Sequence, residues 1–266
     1  MISYTNYITT PFGKEGSLKE IKNDEYFILL KFIQAKDYSG FYHALDELVK
    51  ETIPDFDEYN VIEKAYVYLA LCFYSVHNTI VTENTVLGPI EYSLGHFFES
   101  IDSCCSQIPS SFKYELSSTI SAELSIPTQL ILTHSEINID YSTGLTKIKD
   151  ITLETEKERQ DLFKEINPKL AIQLEREMKK RFGADCNLFN DVSVNLILPD
   201  IFYIIFQIYM EKLEDYYELL YYSFEYLKWS WDTFKAFTPL ETKILFNEFK
   251  IDKERQAQER QQSLNI

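Results

Sequence analysis

Residues 119–153 read TISAELSIPTQLILTHSEINIDYSTGLTKIKDITL. Ile120, Ala122, Leu124 and Ile126 alternate with Ser121, Glu123 and Ser125, which is the pattern of a strand buried on one face. Leu130–Leu132 adds a second short strand. Ile137, Ile139 and Tyr141 alternate with Glu136, Asn138 and Asp140, and Ser142-Thr143-Gly144 supplies a turn into a further strand over 145–153. A small antiparallel sheet is therefore expected within 112–153, and everything around it follows a helical period.

Upstream, residues 1–16 read as an irregular arm, with Gly13-Lys14-Glu15-Gly16 as a turn and not a phosphate loop. Ser17 and Glu20 have capping-box spacing, which predicts a helix from there to about Lys36. Residues 41–51 are amphipathic, and Pro54 ends them. A third helix is expected over 58–76, with Asp57 or Glu58 capping it or charging its first turn. Its second half is apolar all round, so it should be central to the core. Gly88-Pro89 reads as a turn, and a short helix is expected over 92–104.

Downstream, helical periodicity resumes at Glu154. Asn167-Pro168 is a cap followed by a first-turn proline, opening a helix to Phe182 that stops at Gly183. Pro199 is expected to start one helix of roughly 30 residues, and Thr238 with Glu241 to cap the last. That last helix ends in KERQAQERQQ, polar all round and expected to fray. The fold class is thus mainly α with a small antiparallel β insertion, an α+β arrangement. Its expected parts are a helical segment 1–106, a sheet 107–153 and a long-helix segment 154–266, packed as one body.

Lys and Arg number 26 against 42 Asp and Glu, for a net charge of −16. Such a chain repels phosphate backbones and anionic lipid, so neither nucleic acid nor a membrane is the expected partner. The apolar windows 65–76 and 201–210 are too short to span a bilayer. The opening MISYTNYITT has no basic region and no apolar stretch, so no secretory signal is expected there. Cys72, Cys104, Cys105 and Cys186 show no disulfide framework, which suggests a reducing compartment.

The four His and four Cys lack metal-ligand spacing, so no metal or cofactor is expected. Asp55, Asp57 and Glu58 lack the further ligands and the glycine of a calcium loop. His134-Ser135-Glu136 are strand neighbours and cannot form a triad among themselves. No catalytic residue is assigned. The segment after Pro199 carries a polar stripe (Gln207, Glu211, Glu214, Glu218, Glu225) and is otherwise broadly apolar and aromatic. Either two of its sides are buried, or one is held for a partner. The candidate partner-binding residues are Tyr217, Tyr221, Phe224, Trp229 and Trp231, aromatic types that anchor interfaces.

Two stretches carry a resemblance: LKEIKNDEYFILLKFIQAKDYSGFYHALDELVKETI (18–53) and EYNVIEKAYVYLALCFYSVHNTI (58–80). Asp24, Glu25, Tyr26, Leu29, Leu30 and Lys31 form the first matching element. Leu45, Leu48 and Val49 form the second, and Leu69, Leu71 and Ser75 the third. The pattern resembles the baseplate hub assembly proteins of T-even-like contractile-tailed bacteriophages. It departs from them at Cys72, where they have Arg, and near His77 or Asn78, where they have Gly. The resemblance implies a non-enzymatic chaperone, assembly factor or minor hub component. Its partners would be phage tail proteins, either a baseplate hub protein or the tape-measure protein. Its place would be the host cytoplasm, or the tail baseplate if it stays in the particle. Without the resemblance, an intracellular helical adaptor is the alternative.

Overall fold

A computed structural model describes residues 5–76, 79–82, 90–117, 120–149, 151–189, 192–210 and 213–264. It is mainly helical, with short strands lying in small antiparallel sheets. The expected α+β class is the observed one.

The central helix is α3 (Val61–Ser75), buried along nearly its whole length, including Glu63 and Lys64. Two buried charges on one helix need partners. The Thr10 hydroxyl donates to Glu63 at 2.9 Å, and the Lys64 ammonium donates to the Thr128 carbonyl at 2.7 Å. Asn60 caps α3, accepting from the Ile62 and Glu63 amides at 3.0 Å each. The caps expected of Asp57 or Glu58 are not used. Phe56–Glu58 form a 3-10 turn, and Asp57 instead pairs with Lys50 at 2.9 Å.

Residues 5–19 are not an irregular arm. β1 (Thr5–Thr9) and β2 (Glu15–Lys19) form an antiparallel hairpin. Gly13 turns it at φ 85°, a backbone region that glycine enters without a Cβ clash. Ile8 and Leu18 anchor it to the core. Ser17 therefore lies in a strand, and α1 begins later, at Asn23–Ala35. There Glu25 accepts from the Lys22 amide at 2.7 Å, taking the role expected of Glu20. α2 (Tyr38–Lys50) has the expected amphipathic face, with Phe41, Tyr42, Leu45 and Val49 buried.

β3 (Thr79–Thr82) pairs with β4 (Ile90–Ser93), and α4 (Leu94–Cys105) follows. The turn expected at Gly88-Pro89 lies outside the described residues. The central β region is two pieces and not one sheet. β5 (Ser111–Ser117), β6 (Ile120–Ser125), β9 (Leu145–Ile148) and β10 (Ile151–Thr152) join in the order β10-β9-β6-β5. β7 (Gln129–Leu132) and β8 (Ile137–Asp140) form a separate hairpin. Residues 141–144 wind into a 3-10 turn, and Lys149 at φ 51° splits the expected strand 145–153.

α5 (Glu156–Glu165) is fixed by Arg159, the first arginine of the chain, which donates to the carbonyls of Leu153, Thr143 and Glu154. α6 (Pro168–Phe182) starts at Asn167 and ends before Gly183, as its sequence signals predict. β11 (Asp185–Phe189) and β12 (Val192–Asn195) form another hairpin that the sequence reading did not include.

The helix of roughly 30 residues expected after Pro199 is broken. α7 (Asp200–Ile208) ends at Tyr209, and α8 (Leu213–Glu225) starts afresh. Buried hydroxyls hold the break. Tyr26 donates to the Tyr209 carbonyl at 2.9 Å, and the Tyr209 hydroxyl reaches the Tyr68 carbonyl at 2.7 Å. A carbonyl released from the helical ladder thus keeps a partner without water. α9 (Trp231–Ala236) and α10 (Pro239–Leu264) complete the chain. Thr238 and Glu241 form the expected reciprocal cap, at 3.1 and 2.8 Å. One continuous cluster of buried side chains runs from Ile8 to Phe234.

Candidate partner-binding surface

Three C-terminal helices meet α1 at one residue. Asn23 is fully buried, and its amide nitrogen donates to the Phe234 carbonyl at 2.9 Å and to the Thr242 hydroxyl at 2.8 Å. Its backbone N–H donates to the Phe237 carbonyl at 3.0 Å, and its carbonyl accepts the Tyr216 hydroxyl at 2.7 Å. Tyr216 is on α8, Phe234 on α9 and Thr242 on α10, so this one junction ties all three helices to α1. The Asn23 Oδ1 has no hydrogen-bond partner among the described residues.

α8 turns Tyr216 and Ser223 inward, and Tyr216 stacks on Phe27 with centroids 5.4 Å apart. The opposite side presents Tyr217 and Tyr221, 49% and 59% exposed. Trp231, 45% exposed, lies against Phe234 at 5.8 Å. Phe224 and Trp229 are half-buried and packed on the core. Lys228 turns the chain at φ 56°, and Trp229 then stacks on Phe237 at 4.6 Å and 10°. Of the five expected residues, three face outward and two help to hold the helices together.

Beside Tyr221 lies a groove that the sequence reading did not include. α8 supplies Tyr222 and Tyr226, α10 supplies Phe246 and Phe249, and the cavity measures about 280 Å³. Tyr222 stacks on Phe246 at 4.8 Å, and Tyr226 meets Phe249 at 6.0 Å. Tyr221 touches Tyr222 at 5.8 Å, so the exposed row and the groove are continuous. The walls differ in charge. Glu218 stands on the α8 side, and its hydrogen bond raises the Tyr222 phenol above its ordinary value. Lys250 and Lys253 stand on the α10 side, with Lys253 Nζ 5.3 Å from the Phe249 ring centre. A signal existed in sequence: Phe246, Phe249, Lys250 and Lys253 share one helical face. Beyond the groove, residues 251–259 of α10 are exposed throughout.

Elsewhere, His134 Nδ1 lies 3.3 Å from Asp37, the residue whose side chain caps α2, while the His134 side chain stays mostly in solvent. Among the described residues, no three His, Cys, Asp or Glu side chains converge in a way that would hold a metal ion. Among them too, no helix is long and apolar enough to cross a membrane. Compared with protein-family models, curated proteins and solved structures, the chain matches none of them.

Proposed function

We propose that this protein binds another protein without catalysing a reaction, taking an amphipathic helix of its partner into the groove between α8 and α10. The observation that carries this reading is the aromatic groove with one acidic and one basic wall. A helix entering it would lay its apolar stripe on Tyr222, Tyr226, Phe246 and Phe249. It would carry basic residues toward Glu218 and acidic residues toward Lys250 and Lys253. Tyr217, Tyr221 and Trp231 extend the contact outward, in the residue types that dominate interface energetics. The resemblance of residues 18–80 to baseplate hub assembly proteins supplies the partner class: a hub or tape-measure protein of a contractile phage tail. The role is then chaperone, assembly factor or minor hub component.

The test is affinity purification of the tagged chain from its native setting, with co-purifying proteins identified by mass spectrometry. A tail protein recovered in stoichiometric amount, and lost with Tyr221→Ala and Phe246→Ala, is the expected result. A partner that is not a tail protein would replace the phage reading with the adaptor reading. Retention of the partner by both variants would remove the groove as the site.

A further inference from the structure

Outside the groove, three of the chain's cysteines come together where α4 meets β11. Cys104 and Cys105 end α4, and Cys186 lies in β11, which packs directly on that helix. None of these three cysteines is in a disulfide. The Cys186 thiol reaches the Ser100 hydroxyl, one turn before Cys104 on α4, at 3.1 Å, and it lies near enough to Cys104 for the two thiols to interact. The Cys104 thiol donates to the carbonyl of Asp185, the residue before Cys186, at 3.6 Å. Cys104 is half-buried, while Cys105 and Cys186 are buried.

We propose that Cys104 and Cys186 are an oxidisable pair, which a small disulfide such as glutathione disulfide converts into a bond tying α4 to β11. The order of events follows from exposure. The Cys104 thiolate attacks one sulfur of glutathione disulfide, the oxidant's S–S bond breaks, and one glutathione leaves as thiolate and takes up a proton. Cys186 then gives up its proton and attacks the Cys104 sulfur. The new S–S bond forms, and the second glutathione leaves. Two protein thiols are oxidised, and one glutathione disulfide is reduced to two glutathiones.

Burial pushes the Cys186 thiol up to about 12, so its thiolate is scarce at neutral pH. Nearness to the sulfur it attacks offsets that scarcity, because the closing step is intramolecular. The closing step should accelerate about tenfold per pH unit, as the Cys186 thiolate fraction does. Burial raises Cys105 also, to about 12, and Cys105 has no comparable exposure. It is the bystander.

The experiment treats the folded full chain with glutathione disulfide, quenches with acid, and reads the intact mass and the peptide map. The expected product has lost two hydrogen atoms and carries a Cys104–Cys186 cross-linked peptide. Cys186→Ser should stop at a glutathione adduct on Cys104, Cys104→Ser should resist oxidation, and Cys105→Ser should behave as wild type. A stable adduct on Cys104 in the unaltered chain would overturn the proposal, as would a cross-link through Cys105 or unhindered oxidation of Cys104→Ser. Circular dichroism of each variant before oxidation separates loss of fold from loss of chemistry.

Discussion

The Asn23 junction makes a quantitative prediction. Asn23→Asp keeps the size of the side chain and replaces its donating NH2 with an oxygen. That oxygen would sit where nitrogen now lies 2.9 Å from the Phe234 carbonyl and 2.8 Å from the Thr242 hydroxyl. The Thr242 hydroxyl already donates to the Thr238 carbonyl at 2.9 Å. A protonated carboxyl can restore one of the two bonds, so in acid the change costs about 1–2 kcal/mol. An ionised carboxylate can restore neither and would be buried among acceptors. The folded state therefore holds the proton, and the carboxyl pKa rises on folding. In the unfolded chain it ionises near its ordinary value of about 3.9. Stability must then fall as pH rises above that value, by about 1.4 kcal/mol per pH unit, until the folded pKa is passed. Near neutral pH the total reaches on the order of 5 kcal/mol, comparable with the stability of a whole domain. Asn23→Ala is the control. It loses the same two donors but also removes the unpartnered Oδ1, so it should cost about 1–2 kcal/mol with no pH dependence of its own. Urea denaturation from about pH 4 to about pH 7 reads the difference between the variants. Hydrogen exchange should show α9 and α10 loosening before α3. If Asn23→Asp cost the same at both ends of that range, the carboxylate would be ionising in the folded protein, and the junction would be open to water.

Burial raises the Asp46 carboxyl, against the opposing effects of its Tyr68 hydrogen bond and of Lys64 and Lys50. A carboxyl raised in the folded state contributes stability below its unfolded pKa and loses it as pH rises through the folded pKa. Asp46→Asn keeps an acceptor for Tyr68, so it should flatten the pH profile and gain stability at neutral pH; a larger loss at neutral than at acid pH would contradict this. Gly144→Ala places a Cβ 2.6 Å from the Ser125 carbonyl and 2.9 Å from the Met178 sulfur, an overpacking worth about 1–3 kcal/mol. Thermal melting should show a clear drop, whereas Gly95→Ala, meeting only Ser93 Oγ at 3.2 Å, should melt close to wild type. Tyr209→Phe removes one buried hydrogen bond and should cost about 1 kcal/mol by denaturant titration, with an unchanged groove.

By itself the sequence determined the elements whose cause is local. The alternation in 120–126 became β6, and Asn167-Pro168 with Gly183 bounded α6. Thr238 and Glu241 capped α10, and the apolar run in 65–76 marked the central helix. Caps and periodicities act over one or two turns of chain, so a linear reading can see them. Tertiary structure decided the rest. Nothing near Tyr209 announces the break between α7 and α8, because the hydroxyl that accommodates it comes from Tyr26, far away in sequence. The hairpin of β1 and β2 depends on core anchorage of Ile8 and Leu18, and the approach of Cys104 to Cys186 on the packing of β11 against α4. The groove shows the same division. The aromatic excess of α8 was legible, but which tyrosines face core, solvent or α10 followed from where Asn23 places three helices. A side chain's role at such a place is set by neighbours distant in the chain, and only folding brings them together.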